Sequence, residues 1–462
     1  METEYKTQPF NPRWNLISLC LASFIIITGF SVIIPFFPIY ANDILFEFNL
    51  LGVTIGIALQ IGLITAASKL MQFFLAPAYG DLSDNIGRKP LILIGMSLYT
   101  LLMVGYGLAT DFITLFTLRA LQGIGSASVW PIGEALVVDT SENNRRGRNL
   151  GYYMLSMLAG VTLGPFLGYG FYFFYNSGLG LTVLASYRLT FVGVGIFGLI
   201  ATLMVLLLVK DPKTKGKIPI GVLYWSSIKA MSNKTLQSPA ILIETLLADD
   251  SYRNRSIYTL YAVALVNGVG LSLLLPIIAL FLEDYYFLDP GNIALIIGIV
   301  GVLSLFGAPA GGYLSDKFGR KRTVWISGVV GGIFMIFLGF KMSLLALILL
   351  FSLRRFLFSV MQPSFRALQS SLTPEEVRGK EFGVVQAANN LGSVIGPILG
   401  GYLYDLFYGV SIDLGNGLLF IGAGVAFMIS GLLAILAMGL LLLFVQYRSS
   451  KQVSHMDPVI KA

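Results

Sequence analysis

The chain has 462 residues, of which 56% are hydrophobic and only 12% charged, and its mean hydropathy is +0.79. A soluble protein of this length needs more polar surface than that to cover its core, so lipid is the solvent for most of the chain. A single cysteine, Cys20, and a single histidine, His455 in a polar tail, exclude an intramolecular disulfide, a metal site of clustered Cys and His, and a His-based catalytic triad inside the membrane part, and the net charge of +7 finds a better cause than nucleic acid in where the basic residues lie.

Residues 1–14 are polar and hold two prolines. The apolar stretch that follows is about 25 residues long, too long for a signal-peptide core, and reads as a retained span. Spans of roughly 20 apolar residues then recur at 16–41, 53–79, 90–109, 112–138, 147–173 and 186–209, and after a polar stretch at 255–282, 292–314, 322–341, 343–372, 379–405 and 413–446. Twelve spans put both termini on one side. Lys and Arg gather in cytoplasmic loops, and here they gather at Arg88–Lys89, Arg145–Arg148, the stretch Lys210–Arg255, Lys317–Arg322, Arg378–Lys380 and the tail. The outer loops hold only Arg188 and Lys341. Both termini are therefore expected in the cytoplasm of a multi-pass protein of the cell membrane. The expected fold is all-α: an N-terminal six-helix bundle over 1–209, a cytoplasmic central loop over 210–254, a C-terminal six-helix bundle over 255–446 and a cytoplasmic tail over 447–462. The loop is basic with an apolar patch at Ile241–Leu247, which suits short amphipathic helices on the inner membrane surface.

An internal repeat organises the chain. Gly80-Asp81-Leu82-Ser83-Asp84-Asn85-Ile86-Gly87-Arg88-Lys89 returns as Gly312-Tyr313-Leu314-Ser315-Asp316-Lys317-Phe318-Gly319-Arg320-Lys321. The same spacing maps Pro131 onto Pro363, Arg146-Gly147 onto Arg378-Gly379, and Gly164-Pro165 onto Gly396-Pro397. Six spans per half is an even number, so the halves share one orientation, the arrangement of a rocking transporter with its site near mid-membrane. In each repeated loop the glycines permit a tight turn, the Asp can accept hydrogen bonds at a helix start, and the Arg-Lys pair anchors the loop on the inner face.

These segments resemble the major facilitator superfamily over essentially the whole chain. The loop GDLSDNIGRKP resembles its signature between spans 2 and 3. The resemblance implies a cytoplasmic latch: Gly80 and Gly87 shape the turn, Asp84 faces the start of span 11, and Arg88 meets Asp139 at the end of span 4, with Asp316, Gly319 and Arg320 as the counterpart. Span 4 reads RALQGIGSA and is similar to the Arg-x-x-Gln-Gly pattern of drug:proton antiporters. Span 5, GVTLGPFLGYG, resembles the span-5 signature of that branch, with Tyr169 where a second glycine is expected, whereas GPILGG in span 11 is complete. Pro165 and Pro397, beside Gly164 and Gly396, are expected to kink their spans. The resemblance implies a monomer that exchanges a small amphipathic or lipophilic solute for protons, in the manner of multidrug and tetracycline efflux proteins, without any cofactor.

The candidate site residues follow from charge and polarity at depth. Arg119 lies ~12 Å along its helix from Asp111, where a charge costs about 2.5–3.5 kcal/mol or more unless it faces a cavity or a partner. No acid lies within span 1, where many relatives carry one, so Glu134 is the best-placed carboxylate for a proton; a salt bridge to Arg366, Arg88 or Arg145 is its structural alternative. Lys69, near the middle of span 2, either points into the cavity, pairs with Glu134 or reaches a lipid headgroup. Gln122, Trp130, Asn267, Arg355, Gln362, Gln386 and Asn389 complete the expected lining, an apolar pocket with a few oriented polar groups. The basic interior leaves open an importer or uniporter of a metabolite, anionic included. No phosphate-binding Gly-x-x-x-x-Gly-Lys loop serves an ATP-driven pump, the two-fold repeat is unlike a channel's ring, and an intramembrane enzyme would want clustered carboxylates or histidines.

Overall fold

The computed structural model describes residues 12–446 apart from 51–52, 143–144, 212–254, 375–377, 414 and 416–418. The expected amphipathic helices of the central loop and the cytoplasmic tail lie outside the described residues. Fourteen α-helices follow in order: α1 (Pro12–Ile44), α2 (Ile57–Ile86), α3 (Arg88–Leu108), α4 (Phe112–Asp139), α5 (Arg146–Phe173), α6 (Val183–Leu208), α7 (Arg255–Ser272), α8 (Ile278–Tyr286), α9 (Pro290–Val302), α10 (Gly307–Phe318), α11 (Arg320–Phe337), α12 (Leu344–Leu372), α13 (Arg378–Phe407) and α14 (Val425–Phe444). Short strands β1 (Phe48–Leu50) and β2 (Val53–Ile55) precede α2, and β3 (Ser411–Asp413) pairs antiparallel with β4 (Leu419–Ile421) before α14.

Four predicted spans differ from what is observed: span 2 starts only at Ile57, after strand β2, and three others differ for a visible reason. Span 7 is two helices, α7 and α8, because Pro276 has no N–H to give the helix ladder and the chain turns from Leu273 to Ile277. Span 8 is interrupted by a 3-10 turn at Leu303–Phe306, and Ser359 of α12 donates its hydroxyl to the Ser304 carbonyl at 2.7 Å. Span 12 begins at Val425 rather than at 413, because Asp413 accepts a hydrogen bond from the Gly415 N–H at 2.8 Å and Gly415 takes φ +83°, a turn that commits the preceding residues to a ribbon. Nine helical stretches among the described residues are long and apolar enough to cross a bilayer on their own.

The described residues form two compact units. The first holds α1, α2 beyond Gly62, α3 to α6 and the segment Leu282–Gly298; the second holds the start of α2, α7, the first turn of α8 and the chain from Ile299 onward. In the first unit, α1 and α5 meet along Gly160, Gly164 and Gly168, one glycine per turn. A Cβ on Gly164 would lie 2.4 Å from the Thr28 carbonyl oxygen, so only glycine permits this approach. Beside this seam Tyr40, Tyr106, Tyr187, Phe36, Phe37 and Phe191 are fully buried, with the Tyr40 hydroxyl donating to the Ala109 carbonyl at 2.7 Å.

The second unit repeats the device. α13 meets α7 along Gly392, Gly396 and Gly400, where added Cβ atoms would lie 2.2, 2.4 and 1.9 Å from the carbonyl oxygens of Leu265, Val269 and Leu273. Its core joins Leu260 and Val263 of α7 to Val324, Leu368, Met438 and Leu441. Asp405, near the C-terminal end of α13, caps the start of α2: its carboxylate accepts from the Ala58 and Leu59 N–H groups at 3.1 and 2.7 Å. Gly56 leaves room for it, since a Cβ there would lie 2.3 Å from the carboxylate.

Candidate functional site

The polar heart of the first unit is built on α4. Asp111 caps that helix by accepting from the Thr114 N–H at 2.9 Å, which fixes its phase and turns Arg119 and Gln122 to one side. The Gln122 side-chain oxygen accepts from Arg119 at 2.7 Å and from the Tyr106 hydroxyl at 2.9 Å. The Arg119 guanidinium also lies over the Phe37 ring, 3.9 Å from its centroid, and 5.5 Å from that of Tyr106. Gln122 is 1% exposed, so this is a buried network held by three helices. A fourth helix, α2, packs beside it: Gly123 lies on the Ser68 backbone, and Lys69 is within electrostatic range of Arg119. Lys69 donates to Gln72 at 3.3 Å and forms no ion pair among the described residues, so of its three alternatives the pairing with Glu134 is not seen.

Trp130 and Glu134 lie further along α4. Trp130 meets Phe30 edge-on at 6.4 Å, and Phe30 in turn meets Tyr99 at 6.3 Å, so the aromatic wall continues toward the C-terminal end of α4. Glu134 is half-buried and within electrostatic range of Tyr153. Two of its suggested partners are taken by other acids: Arg88 by Asp139 and Asp84, and Arg145 by Glu142 at 3.1 Å.

In the second unit, Asn267 lines a cavity of about 30 Å³ together with Ser327, Phe358 and Ser430. The arginine on its wall is Arg354, not Arg355: helix phase separates neighbours by a little over a quarter turn, and it is Arg354 that sits near Phe358, 5.5 Å from its ring centroid. Gln362 and Gln386 are exposed, and Gln386 donates to Asn390 at 3.0 Å. Asn389 donates to the Ala264 carbonyl at 3.3 Å, tying α13 to α7. Glu381 is a buried carboxylate that its place in the sequence does not announce. It is 0% exposed, accepts a hydrogen bond from the Tyr261 hydroxyl, and its backbone carbonyl accepts from Gln369 at 3.2 Å. A carboxylate four residues into a span reads as solvated at a helix end; the aromatic hydroxyl that meets it comes from a helix 120 residues away.

Between α2 and α3, Gly87 takes φ +94° and starts α3. Arg88 then donates to Asp139 of α4 through Nε, to Asp84 at 3.1 Å and to the Ser83 hydroxyl at 3.0 Å. The N–H groups of Arg88 and Lys89 both bond Asp211, at 2.6 and 3.0 Å, and Lys89 Nζ caps the end of α6 through the Leu206 and Val209 carbonyls, at 2.8 and 2.7 Å. Lys321 does the same for α14 through Leu442 and Val445, at 2.9 and 2.6 Å, and Gly319 has φ +93°. The acidic part does not repeat. Ser371 stands where Asp139 stands in the first half, Arg320 donates to the Ala367 carbonyl at 3.0 Å, and Asp316 is exposed and forms no ion pair among the described residues.

Buried charge inside apolar helices, a two-fold repeat and glycine seams on both halves define a multi-pass membrane transporter. The profile of the Major Facilitator Superfamily matches residues 19–248 and 260–460, and the chain belongs to that family. It is 26% identical over 391 residues to the quinolone resistance protein NorA of Staphylococcus aureus, covering 83% of this chain and 88% of NorA. It is 27% identical over 399 residues to a multi-drug resistance efflux pump PmrA homologue of Lactococcus lactis, covering 86% and 89%. Among solved structures, an inward-facing bacterial homologue of the human lysosomal transporter Spinster superposes with a TM-score of 0.71 at 16% identity, over 95% of this chain and 98% of that one.

Proposed function

We propose that this chain exports a small amphipathic or lipophilic solute in exchange for protons, and that it is not an enzyme. It works as a monomer in the lipid bilayer of the cell membrane with both termini in the cytoplasm. Arg119 carries this reading: a guanidinium kept about two turns into an apolar helix, bonded to Gln122 and laid over aromatic faces rather than paired with a carboxylate. A charge retained at that depth at a cost of a few kcal/mol marks a solute or proton path. The likeness to NorA and the PmrA homologue supports the export direction and the class of solute. The Arg88–Asp139 pair is read as the latch that holds the inner ends of α3 and α4 together in one state of the transport cycle.

The test is efflux from intact cells loaded with a lipophilic dye. The expected result is loss of dye that stops on adding a protonophore and is absent in Arg119→Ala at equal expression. Efflux that continues with the proton gradient collapsed would remove the coupling. A second reading, an importer or uniporter of an anionic metabolite, is favoured by Lys69, and inward movement of such a compound without dye export would establish it.

A further inference from the structure

We propose that the network around Gln122 is a binding site for an anionic group, carried by the solute itself. Two cations, Lys69 and Arg119, lie within electrostatic range of each other, and neither has an ion-pair partner among the described residues. Their polar neighbours supply donors and few acceptors. Arginine can only donate, so its bond to Gln122 fixes the amide with the oxygen toward Arg119 and Tyr106. The amide nitrogen of Gln122 is thereby turned away, and it is buried without a hydrogen-bond partner in a side chain that is 1% exposed. The Arg119 Nε and the Tyr99 hydroxyl are likewise buried and unpartnered, and Tyr99 is in electrostatic range of Arg119.

Each such group is costly when left unsatisfied, more so when charged, and three of them on and beside one guanidinium, with a second cation in electrostatic range, call for one kind of partner. A carboxylate or similar oxyanion brings several acceptor sites and a negative charge. The Phe37 and Tyr106 rings beside the guanidinium give the rest of an amphipathic acid an apolar wall. Lys69 carries the inference beyond the arginine pattern of span 4, because it adds a second positive charge where span 1 offers no acid to offset the first. The inference names the substrate class of the transport reading and rests on it for its purpose, but binding is measured without any gradient.

The experiment is calorimetric titration of the purified full-length protein in detergent with 2-naphthoate, its uncharged analogue 2-naphthamide and the cationic 2-naphthylmethylamine. Naphthoate is expected to bind at least about tenfold more tightly than the amide, the scale of one charge-assisted hydrogen bond, and the amine weakest. Lys69→Gln and Arg119→Gln should each erase that preference, while Lys69→Arg keeps most of it and shows that loss is of charge rather than of fold. Naphthoate retained in saturating chloride assigns the site to the solute's own acid group. Displacement by chloride but not by gluconate leaves an anion site but overturns the assignment to the solute. Equal affinity for acid and amide, or a preference that survives both glutamine variants, overturns the site itself. A protein that exports a dye yet shows no acid preference would refute this inference alone; one that binds naphthoate but moves nothing would refute transport alone.

Discussion

A guanidinium buried in a span costs up to about 2.5–3.5 kcal/mol on the insertion scale, and Arg119, about two turns into α4, offsets part of that with one short bond to Gln122 and an aromatic face. Arg119→Ala should therefore leave expression near normal, since the chain loses an expensive group, while coupled transport falls to background; a substrate-driven pH change in vesicles reads it. The residues of the proposed latch should grade by burial. The Asp84 side chain is 58% exposed, against 24% for Asp139 and 10% for Arg88. Asp84→Asn then costs well under ~1 kcal/mol of stability, as exposed pairs do, and Arg88→Ala costs more because it removes the Arg88 bond from the half-buried Asp139. Thermal unfolding in detergent and transport rates at equal expression measure both; equal losses in the two variants would contradict the graded latch. Arg119, Gln122 and Lys69 were legible because polarity in an apolar run stands out without knowing the partners. Arg354 in place of Arg355, and Glu381, were not: one depends on helix phase, the other on a hydroxyl from a distant helix.

At the scale of elements, helix pairs are fastened by glycines one turn apart. Gly164→Val should lower the melting temperature sharply, because its Cβ would lie 2.3 Å from the Ser31 hydroxyl and 2.4 Å from the Thr28 carbonyl. Gly170→Ala, on the same helix with nothing within 4 Å, should change little; a Gly170→Ala loss as large as that of Gly164→Val would deny the seam. Asp405→Ala removes the cap of α2 and should cost about 1 kcal/mol, within the ordinary range for an N-cap, read as a lower unfolding midpoint. The seams were half legible. The Gly-Pro motifs announced a close contact, but which helix lay opposite came only with the fold. Tyr169, at odds with its motif, is accommodated by stacking on Phe173, with ring centroids 6.0 Å apart. Span limits were misplaced where a proline or a tight turn, rather than hydropathy, decides: at Pro276 and at Gly415.

At the scale of the molecule, duplication preserved the scaffold and let the chemistry diverge. Lys89 and Lys321 cap the last helix of each half in the same way, and Gly87 and Gly319 turn alike. Among the described residues the ion pairs that Arg88 makes have no counterpart in the second half, where Ser371 replaces Asp139 in register and Arg320 bonds a carbonyl. The repeat made the fold legible from sequence, since matching motifs at one spacing admit few other architectures. It could not show this asymmetry, because Asp316 and Arg320 are both present and only their partners differ. The expected consequence is that Arg320→Ala slows transport less than Arg88→Ala does. The central claim is exchange of a solute for protons through a site containing Arg119. It is tested most directly in proteoliposomes with a pH dye trapped inside, challenged with a panel of amphipathic acids, lipophilic cations and common metabolites. The account predicts proton movement triggered by one class of compound, the amphipathic acids, and abolished in Arg119→Ala; labelled-solute counterflow with no proton movement at all would contradict it.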